Sequence, residues 1–198
     1  MENNEVNHGN KPTLVDTNSG FNGGTPLIIA AWFGHHQLCE YLIKEQKANV
    51  EARDICQWTA LLKAVYCYRP EVIKLLLKHN PNSKAMDNDG CHAAFLAAER
   101  GYFDALKLLV ENDADVIDLT EPNNRHNLLI VASRFGRVDV CKYLVEEKNV
   151  NVNLKDKNGL NALQYATNHE IIKILRSKGA EFNAGKRSTK RPWKEIYK

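Results

Sequence analysis

The segments QLCEYLI at 37–43, EVIKLLL at 71–77, DALKLLV at 104–110, DVCKYLV at 139–145 and EIIKILR at 170–176 are one pattern written five times. Each opens one residue before an apolar pair, carries Glu or Lys in its fourth place, and ends in a second apolar pair or close to it. Their starts are 34, 33, 35 and 31 residues apart. Apolar positions at i, i+1, i+4 and i+5 form one wide stripe at helical spacing, so each segment predicts a helix that buries one face. A period of this length marks a repeat architecture, and missing it would misread the whole fold.

A second, shorter helix is predicted upstream of each: TPLIIAA from 25, TALLKAV from 59, HAAFLAA from 92, NLLIVAS from 127 and NALQYAT from 161. Thr25, Thr59, Asn127 and Asn161 are good N-caps, because a side-chain oxygen can accept from the exposed N–H groups of the first turn. Pro26 suits that turn, where its missing donor costs nothing. Ala30, Ala64, Ala97, Ala132 and Ala166 recur in one column, small enough to let a neighbouring helix approach. Gly34, Gly101 and Gly136 are placed to end the short helix in a left-handed C-cap. The links KANVEARDICQW, NSKAMDNDGC and NVNVNLKDKNGL alternate Val with Asn and then reach Asp and Gly, which reads as an extended finger with a tight turn.

These features together resemble the ankyrin repeat over roughly residues 21–184. The family's Asp-x-x-Gly-x-Thr-Pro-Leu opening is met in part at Asp87 and Gly90 and at Asp156 and Gly159, and Thr25-Pro26-Leu27 matches its core directly. Gly34-His35 gives the Gly-His junction in full. Tyr68 stands where the family has Gly, Gln57 and Arg125 replace finger glycines, and the link IDLTEPNNRH between repeats three and four is long. The resemblance implies an all-α solenoid of stacked helix-turn-helix units with projecting β-hairpin fingers. The fifth repeat is three residues short between Ala166 and Glu170, and Arg176, Ser177 and Lys178 make it the expected C-terminal cap. At the other end Ile28 and Ile29 need cover, which Leu14, Val15 and Phe21 are placed to supply as a partial strand.

Composition adds bounds. The chain has 198 residues, 43% hydrophobic and 26% charged, as in soluble folded proteins. No apolar run approaches the roughly eighteen residues a membrane-spanning helix needs. Residues 1–20, rich in Asn and Gly and without a signal-peptide pattern, read as a flexible lead. Residues 185–198 read as a basic tail: Lys186, Arg187, Lys190, Arg191, Lys194 and Lys198 face one Glu there, leaving a mildly acidic body under a net charge of +3. Five cysteines, an odd number with no CxxC pair, argue against disulfides and zinc alike and for a reducing, cytoplasmic setting.

No phosphate loop, nucleophile elbow or acid–base pair is visible, and no enzyme, cofactor or metal site is expected. His35 and His36 are adjacent and diverge on a helix, and Cys91-His92 has no second ligand pair nearby. Cys39 and Cys141 fall in the column of Ile73, Leu106 and Ile172, as small core residues.

The resemblance further implies a concave groove lined by finger tips and short-helix ends. It assigns Trp32 and Phe33 from repeat one, and Ile55, Cys56, Trp58, Tyr66, Cys67 and Tyr68 from repeat two. Repeat three gives Asn88, Asp89, Cys91, Glu99 and Arg100; repeat four gives Asn123, Asn124, His126, Arg134 and Phe135; repeat five gives Lys157, Asn158 and Leu160. The expected function is a non-catalytic, monomeric protein–protein interaction module, anchored by the aromatic residues of repeats one and two with Arg100 and Arg134 adding charge specificity. For Trp58 and Tyr66 the alternative is plain packing against neighbouring repeats. The alternative function lies in the tail, where KRSTKRPWK resembles a nuclear-import signal or a weak nucleic-acid contact.

Overall fold

The structure is a computed structural model that describes Thr17 and residues 20–182. The lead with Leu14 and Val15 and the basic tail lie outside those residues. Two compact units are present, one up to Pro81 and one from Asn82. The first contains α1 (Pro26–Phe33), α2 (His36–Lys44), α3 (Ala60–Tyr66) and α4 (Pro70–Leu77). The second contains α5 (Ala93–Arg100), α6 (Phe103–Asn112), α7 (Leu128–Arg134), α8 (Val138–Lys142), α9 (Ala162–Tyr165) and α10 (His169–Ser177). A π-turn over Tyr143–Glu147 extends α8. Short helix packs on short helix and long on long: α1 with α3 and α2 with α4 in the first unit, α5–α7–α9 and α6–α8–α10 in the second.

Each short helix starts one residue after its cap. Thr25 and Thr59 accept from the N–H groups of Ile28 and Leu62 at 3.4 and 3.3 Å, and Asn127 from that of Ile130 at 2.8 Å. His92 fills the same place in repeat three, its Nδ1 accepting from Phe95 N–H at 3.3 Å. The alanine column is buried in the first four repeats and lets the short helices touch. Gly34, Gly101 and Gly136 end three short helices at φ of 82°, 77° and 70°, and Tyr68 takes the same left-handed turn at 49°.

An arginine locks two of these ends. Arg69 Nε donates to Trp32 O at 3.1 Å and Arg137 Nε to Glu99 O at 2.8 Å, each from the following repeat. Their stems lie directly over the glycines: a Cβ on Gly34 would meet Arg69 Cδ at 2.7 Å, and one on Gly101 would meet Arg137 Cδ at 2.8 Å. Each guanidinium thus satisfies a carbonyl at a helix C-terminus, where a cation is also favoured by the helix dipole.

The fingers are turns built on a carboxylate. Only isolated bridges, Met86 with His92 and Thr120 with Asn127, occur among the described residues, so the expected β-hairpins do not form as strands there. Asp54 Oδ1 accepts from the N–H groups of Cys56 and Trp58, Asp87 Oδ1 from Asp89 and Cys91, and Asp156 Oδ1 from Asn158 and Leu160, all at 2.8–3.0 Å. Backbone pairs close each turn, with Gln57, Gly90 and Gly159 N–H donating to Asp54, Asp87 and Asp156 carbonyls. The fourth finger has one residue more before its N-cap and carries Glu121 in place of Asp, so a side chain longer by one methylene reaches Asn123 and Asn124 N–H. Gln57 and Arg125, which replace glycine, keep the left-handed backbone at φ of 63° and 58°.

The two ends differ. Arg176 is exposed in the column where Ile43, Leu77, Val110 and Val145 are buried, so repeat five turns a polar side outward. In repeat one Leu38 and Tyr41 are 45% and 51% exposed, although Val72, Ala105, Val140 and Ile171, and Leu75, Tyr143 and Ile174, are buried at the matching places.

Candidate functional site

In the first unit the end of α1, the finger and the end of α3 bring aromatic residues around one lysine. Lys63 Nζ lies 4.5 Å from the Trp58 ring centre and 5.1 Å from that of Trp32. It also pairs with buried Asp54 Oδ2 at 3.1 Å. Tyr66 meets Trp58 edge-on at 5.1 Å, and Phe33 stacks on Trp32 at 5.6 Å. The matching places in the other repeats hold Ile29, Leu96, Val131 and Tyr165, so a charged residue is the exception in this column. Two ring faces and a carboxylate hold that ammonium, which in turn fixes both tryptophans. Trp32, Trp58 and Tyr66 are consequently half-buried, whereas Phe33, Ile55 and Tyr68 are exposed at 57%, 67% and 39%.

In the second unit the same places are charged. Glu99 and Arg100 end α5, Arg134 ends α7 with exposed Phe135 next to it, and Arg137 follows. Burial pushes the Glu99 carboxyl up, and Arg100, Arg137 and Arg134 hold it back. The Arg134 guanidinium lies 5.9 Å from the ring centres of Phe135 and Tyr165. Tyr165 Oη donates to Asp156 Oδ2 at 2.6 Å, and His126 packs against the Tyr165 ring at 5.2 Å. His126 is buried between two acids, with Nε2 3.4 Å from Asp156 and Nδ1 3.8 Å from Glu121. Burial lowers its pKa despite those carboxylates, so the ring is neutral at pH 7.

Three residues assigned to the surface from the sequence are buried: Cys91, His126 and Leu160. Each ends its finger, where its own N–H or its backbone pairing is drawn under the finger carboxylate. Arg100 and Arg134 are half-buried at their helix ends. Lys63 and Tyr165 were not singled out in the sequence. Lys63 alone had a readable signal, as a charge in an apolar column.

Burial pushes the Cys39 thiol up to about 11 and that of Cys141 up to about 12, so both are protonated core groups at neutral pH. Among the described residues no three His, Cys, Asp or Glu are grouped to hold a metal ion. A shallow depression of about 590 Å³ between His35, His36, Leu38 and Glu71 is open to solvent.

The model of the family described as ankyrin repeats (3 copies) matches residues 27–119 and 117–186. The chain belongs to the ankyrin-repeat family. Its repeats are similar to those of Poly [ADP-ribose] polymerase tankyrase from Caenorhabditis elegans, 33% identical over 79% of this chain and 7% of that protein. Ankyrin repeat and SAM domain-containing protein 6 of Mus musculus is 35% identical over 54% of this chain and 11% of its own. Alpha-latrocrustotoxin-Lt1a of Latrodectus tredecimguttatus is 27% identical over 81% of this chain and 12% of its own. The chain thus spans about a tenth of the length of these relatives. Ankyrin repeats are in general protein–protein interaction modules, which makes a protein the expected class of partner. No helix among the described residues is long and apolar enough to cross a membrane.

Proposed function

We propose that this ankyrin-repeat chain docks a peptide or a folded protein on the face made by its fingers and short-helix ends, the concave face of the family. The carrying observation is where its apolar surface lies. Of eight large apolar side chains exposed among the described residues, five are in the first unit. Phe33, Ile55 and Tyr68, three of those five, stand on the finger or at short-helix ends beside the Trp32–Trp58–Tyr66 group. Exposed aromatic clusters of this kind are the usual anchors of interfaces. The half-buried rings fixed by Lys63 act as the rigid floor, and Phe33, Ile55 and Tyr68 make the contacts. Free thiols at all five cysteines support a reducing compartment, and we place the protein in the cytoplasm as a monomer with no catalytic step.

Affinity capture with the intact chain and with the double variant Phe33→Ala/Ile55→Ala tests the reading. Both side chains are exposed, so melting should be unchanged while specific partners are lost, with affinity down by about 2 kcal/mol or more. Capture of the same partners at undiminished yield would refute it.

A further inference from the structure

The short-helix and long-helix layers of repeat one are finished differently. In the short-helix layer the column of Ile29, Lys63 and Tyr165 faces the repeat before it, since Lys63 reaches Trp32 and Tyr165 lies beside Arg134. In repeat one a backbone turn takes that place. Gly23 N–H donates to Gly20 O at 2.9 Å and Gly20 N–H to Gly24 O at 3.2 Å. Gly20 lies so close to Ile29 that a Cβ on it would run into Ile29 Cδ1. Ile55 N–H donates to Asn22 O at 3.2 Å and ties the turn to the finger of repeat two. In the long-helix layer Leu38 and Tyr41 of α2 stay exposed. What belongs over them is shown in the second unit, where Val140 and Tyr143 hold the same places in α8. There α6 packs on α8, both side chains are buried, and the Tyr143 ring meets Phe103 of α6 edge-on at 5.5 Å. Tyr41 is ready for the same cover: its Oη accepts from Gln46 Nε2 at 2.8 Å, so the hydroxyl keeps a hydrogen bond when the ring is buried. Glu40 and Lys44, which flank it, pair with each other at 2.6 Å and cancel in charge. Beside Leu38 the depression toward His35, His36 and Glu71 leaves room for a bulky side chain. A second helix pair cannot stack here while the Gly20–Gly24 turn fills the short-helix layer, but a single helix can lie on α2.

We propose that the exposed face of α2 is a second docking surface, which takes one amphipathic α-helix of a partner protein lying along α2 as α6 lies along α8. An aromatic or aliphatic side chain of that helix covers the Tyr41 ring, and a second one seats beside Leu38. The contact is apolar and does not use the finger face.

The probe is a displayed library of helical peptides about twenty residues long, an Ala-, Glu- and Lys-rich frame with one face randomised, selected on the full chain. Enriched members should carry Leu, Ile or Phe at i, i+3 or i+4 spacing and bind about tenfold or more weaker to Leu38→Lys/Tyr41→Lys. Circular dichroism and melting of that variant should match the parent, and Leu38→Ala/Tyr41→Ala, with the same expected loss, stands in should it fail to fold. Affinity should change less than about twofold between roughly 0.1 M and roughly 0.5 M salt, because no net charge is paired. Phe33→Ala/Ile55→Ala should bind the selected peptides as the parent does, so this surface and the finger face stand or fall separately. A selection that enriches no peptide preferring the parent over the folded α2 variants would overturn the proposal, as would binding lost only in Phe33→Ala/Ile55→Ala. Two other occupants would also overturn it. Self-association of the parent in sedimentation that disappears in Leu38→Lys/Tyr41→Lys would make the face a contact between copies. Peptide binding about tenfold tighter in Leu14→Ser/Val15→Ser would make the chain's own lead its cover.

Discussion

Acid should loosen the second unit through His92. That ring is fully buried, accepts the Phe95 N–H with Nδ1, and has no hydrogen-bond partner for Nε2. Burial lowers its pKa from 6.5 to about 4. Protonation would remove the cap's acceptor and place a charge in the core. Because the folded value lies below the unfolded one, the unfolded chain takes the proton first. The stability contributed by the neutral ring is therefore complete above about pH 6.5, drains as the pH falls, and is gone below about pH 4. At about 1.4 kcal/mol per pH unit the loss is about 3 kcal/mol. Asn at this place keeps a cap acceptor, as Asn127 does, and does not titrate. Urea unfolding of the parent and of His92→Asn at about pH 7.5 and about pH 4.5 measures the difference, since His126 and the carboxylates titrate in both proteins and cancel. The variant should start about 1 kcal/mol weaker, from imperfect filling of the imidazole space, and should lose about 2–3 kcal/mol less on acidification. Parallel pH dependences would show that His92 does not titrate in this range and refute the reasoning.

Three further outcomes follow from the repeat register. Leu38→Lys/Tyr41→Lys should change stability by less than about 0.5 kcal/mol in thermal melts, because both sites are already half exposed, whereas Val72→Lys at the matching buried place should unfold the first unit. Gln57→Gly should stabilise by about 1 kcal/mol in urea, since it removes a non-glycine side chain from a left-handed turn in an exposed finger. Glu121→Asp should cost about 1–3 kcal/mol by the same assay, because the shorter carboxylate no longer reaches the extra residue of its finger.

Much of this fold was written in the sequence because it depends on spacing. Helix stripes, the caps Thr25, Thr59 and Asn127, the alanine column through Ala132 and the exposed Arg176 all stand where their period places them, whereas Ala166 falls just past the end of its short helix. The finger device was only half legible. Asp87 and Asp156 announce it through a glycine three residues on, but Asp54 and Glu121 turn on Gln57 and Arg125, and only backbone geometry reveals that these adopt the glycine conformation. His92 reads as a poor cap by residue type and works because its neutral ring offers a lone pair. The surface was harder. A finger's last residue reads as exposed, yet Cys91, His126 and Leu160 are drawn inward by the carboxylate that orders the turn. The clamp of Lys63 by Trp32, Trp58 and Asp54 joins residues from two repeats, and no single stretch of sequence contains it.

Amide hydrogen exchange of the chain, free and saturated with its captured protein partner, tests the central claim most directly. If docking uses the finger and short-helix face, protection should rise over residues 32–35, 55–58 and 66–68 in the first unit and over 99–101 and 134–136 in the second. The outward side of α6, read at Lys107 and Glu111, should exchange as in the free chain. Protection confined to the long helices, or to the basic residues 186–198, with the finger and short-helix ends unchanged, would contradict it.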